Sequence, residues 1–202
     1  MNRPDNSHVI TKSITVCWMV KEFLLHAIWA MAIGAILESQ NRVQAIALIH
    51  RKLYSSDNIT QVDMQSYVPE LIDYLNESLS TSSQNILINQ SVEPIFLDVS
   101  QAIPGSIILN EAITNTIKYA FPANSTGEVN VSMKYADGLV DLQITDNGVS
   151  FPGGFDFKKA NSLGMNLMKG LINQLKGTFK FDADNGVNIQ IKFSLDYLSV
   201  LS

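Results

Sequence analysis

Three groups of residues in this chain carry functional groups at spacings that can do chemistry. The first is Asn110, Glu111, Asn115, Lys118 and Tyr119. At the helical angle of about 100° per residue, Glu111, Asn115 and Lys118 share one side, while Leu109, Ile113, Ile117 and Ala120 form an apolar stripe on the other. A carboxylate, an amide and an ammonium so placed can hold a hydrated cation and meet phosphate oxygens. The second is Asp146-Asn147-Gly148-Val149, where an acidic residue leaves a strand into a glycine turn and the glycine permits close approach of a flat ligand. The third is Ser162-Leu163-Gly164-Met165, a serine ahead of a helix whose first N–H groups can receive phosphate. Singly, these also describe a solvated helix face, a turn and an ordinary N-cap.

The elements that must position them follow from periodicity. A helix is expected from about Pro104 to Phe121, then a loop over Pro122 to Gly127. Alternation over Glu128 to Tyr135 and Leu139 to Thr145, joined by Ala136-Asp137-Gly138, predicts a hairpin. A helix over Leu163 to Leu175 and a closing hairpin, Gly177 to Phe181 with Val187 to Leu195, complete the C-terminal part. Short strands are expected at Asn85 to Asn89 and Ile95 to Val99. Before Ser80 the pattern is helical, over Ile14 to Leu37, Ser39 to Tyr54 and Tyr67 to Leu79, with a turn at Ser55-Ser56-Asp57-Asn58. The expected fold class is α+β, a two-layer α/β sandwich whose mixed sheet is covered on one face by helices. A helical region (residues 1–79) precedes the sandwich domain (residues 80–202).

Composition narrows the classes of function. Hydrophobic content of 46% with 16% charged residues indicates a packed core, and a net charge of −5 argues against phosphate-backbone binding. The single cysteine, Cys17, excludes an intrachain disulfide and a multi-cysteine metal site, and fits a reducing cytoplasm. Lys21 and Glu22 interrupt the apolar stretch from Ile14 to Leu37, and the uncharged run from Phe23 is shorter than the ~18 residues of a membrane span. It reads as a helix buried against another helix. Arg3 and Lys12 ahead of it keep a membrane-inserted or signal-like segment as the alternative.

In this order, Asn110-Glu111 with Asn115, then Asp146-x-Gly148, then Ser162-Leu163-Gly164, the chain resembles the ATP-binding domain of sensor histidine kinases. That domain belongs to the GHKL superfamily, with Hsp90, MutL and type II topoisomerases. Ser39-Gln40-Asn41-Arg42-Val43, Ala47 to Tyr54 and Ala102-Ile103-Pro104 are similar to the subfamily whose acceptor helix reads His-His-Arg-Val-Lys-Asn-Asn. The resemblance implies two-component signalling: ATP and Mg²⁺ as cofactors, a response-regulator receiver domain as partner, and a homodimer through the N-terminal helix. It implies Asn115 as the Mg²⁺ ligand beside Asn110, Glu111 as the general base or an acceptor-polarising carboxylate, and Lys118 and Tyr119 lining the nucleotide pocket. Asp146 would take the adenine amino group, Gly148 would give the ring room, and Ser162, Leu163 and Gly164 would meet phosphates beneath a lid over Pro152 to Asn161.

The chain departs from this pattern at four places. Ser150 stands where a second glycine is expected, and Val187 where the family has threonine. Trp29 and Ala30 occupy the places of the acceptor histidines, and too few residues separate them from Ser39 for a two-helix hairpin. His26 is the candidate acceptor, His50 reads as a packed helix residue, and His8 lies in a polar tail. A histidine kinase is thus set against an ATP-binding, dimerising module without autokinase activity. A serine kinase of the anti-sigma type shares the pocket but fits Ser39 to Tyr54 poorly.

Overall fold

The computed structural model describes residues 7–55, 60–79, 85–122, 125–150, 159, 162–183 and 185–195, with residues 7–27, 30, 31 and 55 described by backbone alone. Two compact units result, Met1–Gln40 and Asn41–Ser202. Helix α1 (Ser7–Ser55) covers both helical stretches expected over 14–37 and 39–54. Nothing from 14 to 54 breaks a helix: there is no proline, and the isolated Gly34 costs only about 1 kcal/mol against alanine. In the first unit Ile28, Trp29, Ile33, Ile36 and Leu37 are exposed.

In the second unit the C-terminal part of α1 buries Ala45, Leu48, Ile49 and Leu53 at helical spacing. Helix α2 (Met64–Leu79) packs on it through two phenols. The Tyr67 hydroxyl donates to the Ala45 carbonyl at 3.1 Å, and the Tyr74 hydroxyl to Asn41 Oδ1 at 3.0 Å. Lys52 pairs with Glu70 across the same contact.

Strand β1 (Gln61–Asp63) leads into α2 and has no counterpart in the sequence reading, because three residues are too short to show alternation. It pairs antiparallel with β3 (Phe96–Asp98), bringing the buried Val62 opposite the buried Leu97. Helix α3 (Val99–Asn115) begins five residues before the expected Pro104. Its N-cap is Asp98, whose carboxylate accepts from the Ser100 N–H at 2.9 Å, so the cap and not the proline sets the start.

The main sheet has the order β2-β4-β5-β7-β6, made by β2 (Asn85–Val92), β4 (Thr126–Ala136), β5 (Leu139–Asp146), β6 (Thr178–Asp182) and β7 (Asn188–Ser194). β2 runs parallel to β4 and the other pairs are antiparallel. The expected mixed sheet and both hairpins are therefore present. Asp137 and Gly138 turn β4 into β5 with φ of 54° and 78°, the doubly positive geometry that matches strand twist. Val129, Val131, Met133, Val140, Leu142, Ile144, Ile189, Ile191 and Phe193 alternate inward into the core shared with α2, α3 and α4 (Leu163–Gln174). The other face carries polar cross-strand pairs, including Asp141 with Lys192 at 3.0 Å and with Gln190. The chain forms a two-layer α/β sandwich preceded by a helical segment.

Burial pushes the Tyr67 hydroxyl pKa well above its ordinary value, against a smaller lowering by Ser106, so the phenol stays protonated as a donor. Tyr67→Phe is expected to lower stability by about 1 kcal/mol, the net value of one intramolecular hydrogen bond, as a reduced urea midpoint at unchanged slope.

Candidate functional site

Leu109, Ile113, Ile117 and Ala120 form the buried stripe that the spacing requires. The opposite side is not a solvated face. Asn110 is 1% exposed and Glu111 5%, because α3 is covered nearly all round. A carboxylate at that depth needs a partner, and Arg42 of α1 supplies it. Its Nε donates to Glu111 Oε1 at 2.7 Å and its Nη2 to Oε2 at 3.0 Å, while Asn110 Nδ2 adds a bond to Oε1 at 3.2 Å. The first turn of α4 closes on the same group: a Cβ on Gly164 would collide with Glu111 Oε2, so glycine permits the approach. Sequence reasoning assigned Arg42 no role. Its partner lies 69 positions away, and no local pattern reports a pairing at that separation.

Asn110 Oδ1 and Thr114 Oγ1, one helical turn apart, are buried with no partner among the described residues. Asn115 ends the α-helical part of α3, and a π-helical turn, Thr116–Ala120, continues it. Such wide turns inside helices collect at functional sites. This one leaves Lys118 half-buried and Tyr119 exposed, and its Ala120 carbonyl accepts from the Val149 N–H at 2.7 Å.

Asp146, 7% exposed at the end of β5, is the centre of a second cluster. Its Oδ1 accepts from the backbone N–H of Gly148 at 2.9 Å and of Val187 at 3.3 Å, and its Oδ2 from Thr116 Oγ1 at 3.3 Å. Burial pushes its carboxyl pKa up, and these three hydrogen bonds partly offset the rise. An ionised carboxylate has about four acceptor positions, so one remains for an incoming N–H. Both departures near this site are accommodated. The Ser150 hydroxyl accepts from the Gly186 N–H at 3.0 Å, and Val187 contributes its backbone where the family offers a hydroxyl. Gly148 has a tight neighbour of another kind: a Cβ there would stand 2.7 Å from Ala120 Cβ and 2.8 Å from its carbonyl carbon. The close approach this glycine makes is to the π-helical turn.

Ser162 caps α4 by accepting from the Met165 N–H at 3.3 Å, which leaves the Leu163 and Gly164 N–H groups at the helix start beside Glu111. Among the described residues no three His, Cys, Asp or Glu side chains gather as a metal site. Asn115 as a single protein ligand fits a Mg²⁺ that arrives on phosphates, since that ion keeps most of its shell as water and phosphate oxygen. Of the expected lid only Lys159 is among the described residues, and the His26 side chain is outside them. His50, expected to be packed, is exposed and lies against the Tyr54 ring at 5.7 Å, one turn along the same helix. No helix among the described residues is long and apolar enough to cross a membrane.

A family model for the histidine kinase-like ATPase domain matches residues 88–191, just over half of the chain, and a histidine kinase model matches residues 30–79. The chain belongs to the histidine kinase family, and its sandwich is a histidine kinase-like ATPase domain. It is 29% identical over 140 residues to the sensor histidine kinase PdtaS of Mycobacterium tuberculosis, a match covering 69% of this chain and 28% of that protein. The chain thus spans little more than a quarter of the length of the curated relatives it matches first. A shorter stretch of 45 residues, 22% of this chain and 29% of the relative, is 38% identical to the serine-protein kinase RsbW of Listeria innocua. Among solved structures, the histidine kinase domain of a blue-light activated histidine kinase from Erythrobacter litoralis superposes with a TM-score of 0.71 at 18% identity, covering 78% of this chain and 75% of that one. His26 falls ahead of the matched residues.

Gly148→Ala forces the new methyl into Ala120 backbone and is expected to cost about 1–3 kcal/mol in urea unfolding. Because the folded state holds the Asp146 proton to higher pH than the unfolded chain, it binds more protons between 3.8 and the raised value. That contribution is fully present below the ordinary pKa and is lost as pH rises through the raised one. Relative to Asp146→Asn, the wild type is expected to gain stability as pH is lowered through this window, read as the difference in urea midpoints.

Proposed function

We propose that this chain is the catalytic region of a two-component sensor histidine kinase that binds Mg·ATP, phosphorylates a histidine and passes the phosphoryl group to a response-regulator aspartate. The observation that carries the reading is the anchored Asp146 carboxylate, held by three donors with one acceptor position left for an adenine amino group. Residues 1–79 form the dimerising, acceptor-bearing region and residues 80–202 the ATP-binding domain.

Bound ATP supplies the phosphoryl group, and Mg²⁺ neutralises charge on its oxygens. The protein's part is positioning and electrostatics. Asn115 holds the cation beside Asn110, while Lys118 and Tyr119 border the nucleotide. The N–H groups at Leu163 and Gly164, following the Ser162 cap, receive phosphate oxygens at the positive end of α4. Glu111 accepts the proton of the acceptor imidazole, for which His26 is the candidate. The exposed Ile28, Trp29, Ile33, Ile36 and Leu37 suit a helix that pairs with a second copy in a cytoplasmic homodimer. Trp29 and Ala30 at the acceptor positions favour a second reading, an ATP-binding dimerising module that forms no phosphohistidine.

Incubation with γ-labelled ATP and Mg²⁺ separates the two. Acid-labile, alkali-stable label that disappears in Glu111→Gln and in His26→Ala is the expected result for the kinase. ATP binding by calorimetry without label, lost in Asp146→Ala, is the result for the module.

A further inference from the structure

The arrangement around Glu111 conflicts with its use as a base in this conformation. Both carboxylate oxygens are taken by the Arg42 fork, at 2.7 and 3.0 Å, and one also by Asn110. A carboxylate in a bidentate, charge-assisted pair cannot accept a further proton donor well without loosening that pair. The two side chains are 15% and 7% exposed, so water does little to compete with the pairing. An anion delivered to the guanidinium can compete where water does not.

The fold provides for its delivery. The first turn of α4 rests on this ion pair: the Cβ position of Gly164 abuts Glu111 Oε2 and lies 3.9 Å from Arg42 Nη2. An anion bound at this first turn of α4 would therefore be within reach of the guanidinium. A planar fork matches phosphate oxygens as well as it matches a carboxylate, and a terminal phosphoryl group carries more charge than Glu111.

We propose that Arg42 is a nucleotide-contacting residue that masks Glu111 until the terminal phosphate of a nucleoside triphosphate draws the guanidinium away. One ion pair is exchanged for another, and no covalent bond changes. A diphosphate lacks the phosphoryl group that makes this contact and leaves the Arg42–Glu111 pair closed. The carboxylate thereby becomes available only when there is a phosphoryl group to transfer. This rests on the nucleotide site proposed above.

The test is calorimetric binding of MgATP and MgADP to the full chain as wild type, Arg42→Gln, Glu111→Gln and Arg42→Gln/Glu111→Gln. Removing Arg42 is expected to lower the preference for ATP over ADP about tenfold, the worth of one charge-assisted hydrogen bond, with ADP affinity unchanged. Glu111→Gln, which frees the guanidinium from its competitor, is expected to raise ATP affinity and leave ADP affinity alone. Arg42→Gln leaves a buried carboxylate unpaired and can cost the fold, so the double variant, with neither charge, carries the same expectation as Arg42→Gln. A wild-type ATP-to-ADP ratio in the double variant, or unchanged ATP binding in Glu111→Gln, would overturn the proposal while leaving the nucleotide site intact. Failure of the wild type to bind MgADP would overturn the nucleotide site, and the proposal with it.

Discussion

A carboxylate taken out of water has to be compensated, and the placement of three helices turns on how Glu111 meets that requirement. Its buried pair with Arg42 joins α1 to α3, and the same carboxylate receives the glycine turn that starts α4. Removing one partner of such a pair typically costs 3–5 kcal/mol, whereas the intact pair adds little net stability. Its importance lies in placement. Arg42 can meet Glu111 only if α1 and α3 pack at one register, and Tyr67 and Tyr74 fix α2 against the same stretch of α1.

Asp146 does a comparable job for the sheet side of the site. One side chain gathers the backbone after β5, the backbone before β7 and the hydroxyl at the start of the π-helical turn. The Asp146 N–H donates to the Val187 carbonyl at 2.9 Å, so the two segments are tied in both directions. Gly186, at a φ of 79° where an added Cβ would collide with the Asp146 backbone, lets them approach. The carboxylate is thus immobile before any ligand arrives, and an immobile acceptor loses little conformational entropy on binding.

Compensation explains how the chain tolerates its departures from the family pattern. A side chain at position 150 is not surplus here, because its hydroxyl takes up the Gly186 N–H and helps secure the turn that presents Val187. The missing threonine hydroxyl matters less when Asp146 is bonded by the Val187 backbone, which every residue type except proline would provide.

The sequence by itself determined what short-range periodicity can carry. Apolar spacing over Leu109 to Ala120 defined the buried stripe, alternation defined the inward faces of β4, β5 and β7, and Asp137-Gly138 defined the hairpin turn. The residues of the candidate site were picked out in the same linear way, because ordered motifs survive in a linear reading even when their contacts do not. What tertiary structure alone decided are matters of burial and of long separation. Glu111 lies on the polar side of its helix by spacing and is nonetheless buried, since whether a polar face meets water depends on what packs over it. Arg42 became part of the site through a partner 69 positions away, the three-residue β1 became a strand through β3, and Asp98 displaced Pro104 as the start of α3 by capping it. Periodicity registers how a segment repeats along its own axis, and it is silent on which distant group will satisfy a charge that folding removes from water.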